Sequence, residues 1–266
     1  MSTKSSAKSA RPASGCELIE HLPFMTDGGV AHRARIGLVV LATDHTLEHE
    51  FRRVITMPGV ACYQARIRNS ATITPETLAA MAADLAQTAD LILPGTGLDV
   101  IGFGCTSASM VLGEEKVFKL IRSVRPGAQV TTPITAAFAA FDAFKARRIG
   151  VLTPYRQDVN EIVRGYIERK GYQVPVFGSF NEEDDNQVAR IDAQSLKRGI
   201  EAIVKRCPVD MVFMSCTSLR LVDAAAQIER ELGIPVTASN HAMAWHCLRL
   251  AGVTDQLPQF GRLYER

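Results

Sequence analysis

Short apolar runs alternate along most of the chain with segments whose apolar residues recur every three or four positions. Thr74 followed by Pro75 predicts a helix start, with apolar residues at helical spacing after it. Two further helices are predicted, one capped by Asp158 and ending near Gly171, the other with an apolar stripe over 221–232. The alternation implies parallel βαβ units and an α/β fold.

The second half of this pattern repeats the first. Three pairs of similar segments occur in the same order, at offsets of 106 to 113 residues: 34–40 with 147–152, 99–107 with 210–218, and 130–133 with 236–239. We therefore predict two parallel sheets flanked by helices and related by a pseudo-twofold axis. Cys105 and Cys216 occupy matching positions at the carboxyl end of a strand. Ligands bind beyond such ends, so we expect both cysteines in one shared cleft.

Composition excludes several classes of protein. The 266 residues are 47% hydrophobic and 22% charged, with a net charge of +2, which fits a globular protein without a nucleic-acid-binding surface. The chain has no apolar run long enough to span a membrane. Its six cysteines form no CxxC pair, which argues against a disulfide scaffold or structural zinc and favours free thiols in the cytoplasm.

No cofactor or metal is expected from the motifs. Gly95-Thr96-Gly97 lacks the third glycine of a dinucleotide fingerprint, because Val100 stands at that position. The acidic run over 182–185 is interpreted as a solvated loop rather than a metal site. We expect residues 1–30 to form a mobile tail, 31–134 with 238–266 the first lobe, and 135–237 the second.

The repeated Cys-Thr-Ser motif is the candidate chemistry. Each cysteine lies between an apolar strand and a predicted helix that opens with Thr-Ser. A thiol at a helix N-terminus can have a lowered pKa, because unpaired backbone N–H groups favour the thiolate. Neighbouring hydroxyls could bind a carboxylate or an oxyanion, and four are candidates: Thr106, Ser107, Thr217 and Ser218. One such motif alone is more typical of a packed small residue. Two at matching positions of a repeat favour a pair of catalytic thiols, Cys105 and Cys216.

These residues resemble the aspartate/glutamate racemase superfamily, in the branch of maleate isomerases and arylmalonate decarboxylases. The resemblance covers about 33–266 and rests on four motifs: 104–109, 153–161, 215–218 and 261–264. Within the branch, 177–185 and 239–242 look most like the ectoine-utilisation (EutA) subgroup. The resemblance implies two Rossmann-like lobes with the active site between them, two catalytic cysteines, and neither cofactor nor metal.

The resemblance also implies substrate contacts. Tyr155 is carried over as a contact, with the alternative that it anchors a loop. Asp44 stands where maleate isomerases have a carboxylate-binding asparagine, so either it caps a helix or the substrate carries a cation there. A second such asparagine falls at Asp185 or Asn186. His241 follows the last strand and reaches the cleft if that strand ends as its counterpart in the first half does.

Four functions remain open at this point. The leading one is a cofactor-independent isomerase or racemase acting on a small carboxylic or amino acid, in ectoine breakdown. The alternatives are a decarboxylase-like lyase, a maleate cis–trans isomerase, and a non-catalytic module that binds a small ligand and regulates a pathway. The expected partner is a small carboxylate rather than a nucleic acid or a membrane, and the chain is compatible with a homo-oligomer.

Overall fold

Two four-stranded parallel sheets with the same strand order form the fold. The computed structural model describes residues 18–70, 72, 74–182 and 184–266. The first sheet has the order β2-β1-β3-β4 and contains β1 (Ala34–Leu41), β2 (Val60–Ile67), β3 (Val100–Gly104) and β4 (Gln129–Thr131). The second has the order β6-β5-β7-β8 and contains β5 (Arg148–Thr153), β6 (Gln173–Ser179), β7 (Met211–Met214) and β8 (Val236–Ala238). The predicted α/β duplication is confirmed.

Helices flank both sheets. Those of the first half are α1 (Leu47–Val54), α2 (Pro75–Ala80), α3 (Ala82–Asp90), α4 (Thr106–Leu112), α5 (Glu114–Val124) and α6 (Pro133–Ala143). Those that follow are α7 (Gln157–Arg169), α8 (Asp185–Val188), α9 (Ala193–Arg206), α10 (Ala225–Leu232) and α11 (Ser239–Leu250). The last helix returns to the first sheet, where it contacts β3, β4, α1 and α6. Short 3-10 turns at Pro258–Phe260 and Arg262–Glu265 follow it.

Three predicted helices differ in detail from those observed. Thr74 caps α2 as expected, but the helix breaks at Met81 and continues as α3. Asp158 lies in the first turn of α7 rather than at its cap, whereas Gly171 follows its end with a φ of 91°. The helix predicted over 221–232 begins only at Ala225, because the preceding backbone donates hydrogen bonds to a buried carboxylate instead.

The predicted tail is only partly described. Its residues 1–17, including Cys16, lie outside the described part of the chain. The described stretch 18–30 is exposed and contains no helix or strand. The described helices include none that is long and apolar enough to cross a membrane.

A cluster of aromatic rings anchors the core beside the second sheet. Phe141 is fully buried and its ring packs edge-on against Phe138, Tyr172 and Phe213. We expect Phe141→Ala to lower the free energy of unfolding by about 3–5 kcal/mol, since it removes a large buried side chain and leaves a cavity. Denaturant unfolding would measure this, with exposed Leu18→Ala as the control. An equal effect of both changes would contradict this description of the core.

Candidate active site

Cys105 and Cys216 line the same cavity between the two halves. Cys105 directly follows β3, and Cys216 lies two residues after the end of β7. The two thiols are 4% and 3% exposed, and both are free rather than joined in a disulfide. The cavity has a volume of about 30 Å³, room for only about two waters, so little space is left beside the thiols.

The local structure differs between the two cysteines. Cys105 is the N-cap residue of α4, and its Sγ accepts a hydrogen bond from Ala108 N at 3.4 Å. The Sγ of Cys216 accepts one from Ser218 N, also at 3.4 Å. The residues after Cys216 form a turn, and the next helix begins only at Ala225. The expectation that both motifs open a helix was therefore right for Cys105 and wrong for Cys216.

Both thiols are held in the protonated form. Burial raises the pKa of Cys105 to about 11, although the N–H of Ala108 partly offsets it. Burial and the charge of Asp185 raise the pKa of Cys216 to about 12. The predicted lowering of these pKa values was wrong, because the loss of water around each sulfur outweighs one or two weak hydrogen bonds.

Tyr155 is placed directly against Cys216. Its hydroxyl hydrogen-bonds with the thiol, and its side chain lines the cavity. Burial raises the pKa of Tyr155 well above its usual value, and the adjacent sulfur adds to this. Its backbone carbonyl also accepts hydrogen bonds from Asn160 and Ser179. The residue therefore anchors a loop and also presents a proton donor to the sulfur.

One carboxylate lines the cavity and a second, that of Asp44, lies close enough to affect the Cys105 thiol. Asp185, at the start of α8, lines the cavity and accepts a hydrogen bond from the Ser218 hydroxyl at 2.6 Å. Asn186, the alternative position, instead joins its side chain to His45 at 2.7 Å. The negative charges of Asp185 and Asp44 both contribute to the raised pKa of the Cys105 thiol. Asp185 is the only carboxylate, and no lysine, arginine or histidine stands beside it, among the described residues that line the cavity.

Asp44 caps a helix, as one of the two alternatives predicted, while its contact with substrate stays a prediction. Its Oδ1 accepts hydrogen bonds from the backbone N–H groups of Thr46 and Leu47, each at 2.7 Å, which caps the start of α1. Its Oδ2 is buried and accepts no regular hydrogen bond from the residues that the structure describes. Burial raises the pKa of Asp44, which the Thr217 side chain and the two N–H donors offset in part.

The predicted hydroxyls divide into two groups. Ser107 and Thr217 line the cavity. Thr106 donates a hydrogen bond to Ser239 at 2.7 Å and is not among the lining residues, so its contact with substrate stays a prediction. The hydroxyl of Ser218 donates its hydrogen bond to Asp185.

Sequence reasoning missed one wall of the cavity. It is formed by residues after β2 and on the next helix: Asn69, Ser70, Thr72, Thr77, Leu78 and Met81. The Asn69 amide is fixed by Thr43, whose N–H donates to it at 3.2 Å and whose hydroxyl accepts from it at 2.8 Å. The polar stretch after β2 was the available signal, because β2 neighbours β1 and their carboxyl ends share an edge.

The histidines lie elsewhere. His241 is buried and bonded to Thr237 and to the carbonyl of Phe260, and its pKa is lowered by burial to about 4. His246 bonds to Thr131. His241 therefore holds the C-terminal turn rather than reaching the cavity. Across the described part of the chain, no group of three or more histidine, cysteine, aspartate or glutamate side chains could hold a metal ion.

Relatives of known activity share this architecture. Maleate isomerase from Pseudomonas putida is 28% identical over 243 residues, which cover 86% of this chain and 96% of that protein. Maleate isomerase from Nocardia farcinica is 30% identical over 243 residues, covering 86% and 94%. Arylmalonate decarboxylase from Bordetella bronchiseptica is 29% identical over 198 residues, covering 73% and 82%.

Solved structures agree with these relatives. The Nocardia farcinica maleate cis–trans isomerase superposes with a TM-score of 0.77 at 26% identity, covering 87% of this chain and 97% of that one. A cysteine-to-serine variant of the Nocardia farcinica enzyme with a covalently bound succinylcysteine intermediate gives 0.78 at 26% identity, covering 87% and 98%. The family model described as arylmalonate decarboxylase matches residues 37–264. The chain therefore belongs to the arylmalonate decarboxylase family of enzymes.

Proposed function

We propose that the protein is a cofactor-independent isomerase or racemase that acts on a small carboxylic or amino acid through Cys105 and Cys216. The observation that carries the proposal is that both thiols line one cavity from opposite halves of the repeat. Each sulfur already has a backbone N–H donor, at Ala108 and at Ser218, that stabilises a thiolate when it forms.

The chemistry follows from two acid–base groups on either side of one carbon. The reactive form carries one proton fewer than the resting form, because one of the two thiols has released its proton to solvent. Its thiolate removes a proton next to the substrate carboxylate, and the electron pair delocalises into that carboxyl group. The opposite thiol returns a proton to the other face, so that the two sulfurs exchange protonation states and the configuration is inverted. Ser107 and Thr217 line the cavity, and in this proposal their hydroxyls donate hydrogen bonds to the carboxylate as it gains charge.

The charge of the site favours a substrate that carries a cation. The charges of Asp44 and Asp185 raise the pKa of the Cys105 thiol. The described lining residues include no lysine, arginine or histidine that would offset them. An ammonium group beside these carboxylates would offset their charge and lower the pKa of both thiols. Together with the resemblance to the ectoine-utilisation subgroup, this supports an amino-bearing intermediate of ectoine breakdown as the substrate.

Maleate cis–trans isomerisation is the second candidate. It is favoured by the maleate isomerase relatives and by the succinylcysteine adduct in one of their structures. It would use one sulfur to add to the double bond and the same sulfur to leave after rotation. Two carboxylates beside a dicarboxylate oppose it, because like charges repel in a buried site.

Asp44→Asn separates these two candidates. The amide keeps the Oδ1 acceptor that caps α1 but removes the charge. We expect kcat/KM for an ammonium-bearing acid to fall at least about tenfold, and maleate turnover to rise. Efficient wild-type turnover of maleate, unimproved by the substitution, would show that Asp44 is only a cap and that the substrate is a dicarboxylate.

A panel of small acids tests the proposed activity itself. It contains amino acids, N-acetylated diamino acids, maleate and an arylmalonate, assayed by chiral chromatography and by carbon dioxide release. We expect inversion or isomerisation of one amino-bearing acid without carbon dioxide release. Carbon dioxide release from the arylmalonate alone would favour the lyase, and binding without turnover of any acid would favour the regulatory module.

A further inference from the structure

A buried glutamate outside the cavity holds the polypeptide segment that carries Cys216. Glu50 lies on the inner face of α1 and is 2% exposed. Its Oε1 accepts a hydrogen bond from Val222 N at 2.7 Å, and its Oε2 accepts one from the Asn240 amide at 2.9 Å. One carboxylate therefore joins α1, the segment before α10, and α11.

The Asn240 amide connects Glu50 to Thr217, the residue next to Cys216. Its Nδ2 donates a second hydrogen bond, to the carbonyl oxygen of Thr217 at 2.5 Å. The hydroxyl of Thr46, also near the start of α1, donates to the same carbonyl at 2.5 Å. Both protons of the Asn240 amide are used, so its orientation is fixed by the two acceptors, Glu50 and Thr217.

The backbone that follows each cysteine differs in regular structure. Cys105 is held by α4, whose backbone follows it without a break. The segment 217–222 forms turns rather than a helix, so the backbone around Cys216 has less regular hydrogen bonding of its own. Glu50 anchors this segment at both ends, directly at Val222 and through Asn240 at Thr217.

We propose that Glu50 is a positioning residue that fixes Cys216 opposite Cys105, acting through Asn240 and the carbonyl of Thr217. Its importance for turnover rests on the proposed function, but its effect on the thiol does not. The arrangement requires an acceptor on both carboxylate oxygens. Burial raises the pKa of Glu50 to about 7, and Asp223 adds to this, while Val222 and Asn240 oppose it.

Glu50→Gln is the sharpest test. The side chain keeps its shape, but one acceptor becomes an NH₂ group that faces either Val222 N–H or the Asn240 amide. Either one anchor is lost or Asn240 turns and releases Thr217. We expect alkylation of Cys216 by iodoacetamide, followed by peptide mass spectrometry, to accelerate at least about fivefold, since a released turn exposes a buried thiol. Cys105 in the same sample is the internal reference and should change less than about twofold.

Glu229→Gln is the matched control. Glu229 is also buried and accepts backbone hydrogen bonds at both oxygens, from Val236 and Arg262, without touching the segment after Cys216. We expect it to leave the ratio of Cys216 to Cys105 alkylation unchanged. Asn240→Ala removes the amide that joins Glu50 to Thr217, and it should cause the same selective rise at Cys216. This variant serves as the test if Glu50→Gln does not fold.

The outcomes decide the proposal without a known substrate. A selective rise at Cys216 in Glu50→Gln, or in Asn240→Ala where Glu50→Gln does not fold, supports it if Glu229→Gln shows no such rise. Equal changes at both thiols, or no change at either, would overturn it. If the selective rise occurs but no acid in the panel is turned over, the positioning role stands while the proposed activity fails.

Discussion

Cys105→Ser and Cys216→Ser are each expected to lower turnover of the identified substrate by at least about 10³-fold. Serine preserves the volume of the side chain, but its hydroxyl is a far weaker acid than a thiol and is not ionised at either position. A reaction that removes a proton on one face and returns one on the other needs both sulfurs. Steady-state kinetics with the substrate identified from the panel of small acids would measure this loss of turnover.

Cys207→Ser is the control for these variants. Cys207 is half-buried at the end of α9, away from the cavity, and its loss should leave turnover near that of the wild type. Near wild-type rates in Cys105→Ser, with an inactive Cys216→Ser, would contradict the two-thiol reaction. That pattern would instead favour a lyase that uses one cysteine.

Alkylation of both active-site thiols in the ligand-free protein is expected to rise about tenfold for each pH unit between pH 7 and 10. The pKa values of Cys105 and Cys216 are raised to about 11 and about 12, so the reactive thiolate is a minor species throughout this range. Its fraction therefore increases in proportion to hydroxide concentration. Iodoacetamide labelling at several pH values, resolved by peptide, would give both profiles.

Circular dichroism at each pH is the control for loss of structure. A plateau near pH 8 at either thiol would show that its thiolate is stabilised in the resting protein and that burial does not dominate. Turnover of an amino-bearing substrate should extend to lower pH than alkylation of the ligand-free thiols does, because a cation beside Asp44 and Asp185 stabilises the thiolates.

The duplication made the architecture predictable from sequence. Matching motifs at Cys105 and Cys216, with apolar strands before each, indicate equivalent strand ends, and the two sheets have the same order. Capping signals such as Thr74 and Gly171 are local, because they depend on a few adjacent residues, and both are found in the structure.

Features that depend on distant residues were not predictable in this way. The thiol pKa values follow from enclosure by both halves, which no local motif reports. The turn after Cys216 replaces a predicted helix because Glu50, about 170 residues earlier in the chain, accepts the N–H of Val222. Asn69 reaches the cavity only because β2 lies beside β1.

Protection of the thiols by a bound substrate is the most direct measurement of the central claim that one small acid lies between Cys105 and Cys216. Alkylation of each cysteine would be followed by peptide mass spectrometry as the concentration of the turned-over acid is raised. We expect both thiols to be protected with the same half-maximal concentration, while Cys207 continues to react at its original rate. Protection of only one thiol, or different half-maximal concentrations for the two, would contradict a single site formed by both halves of the repeat.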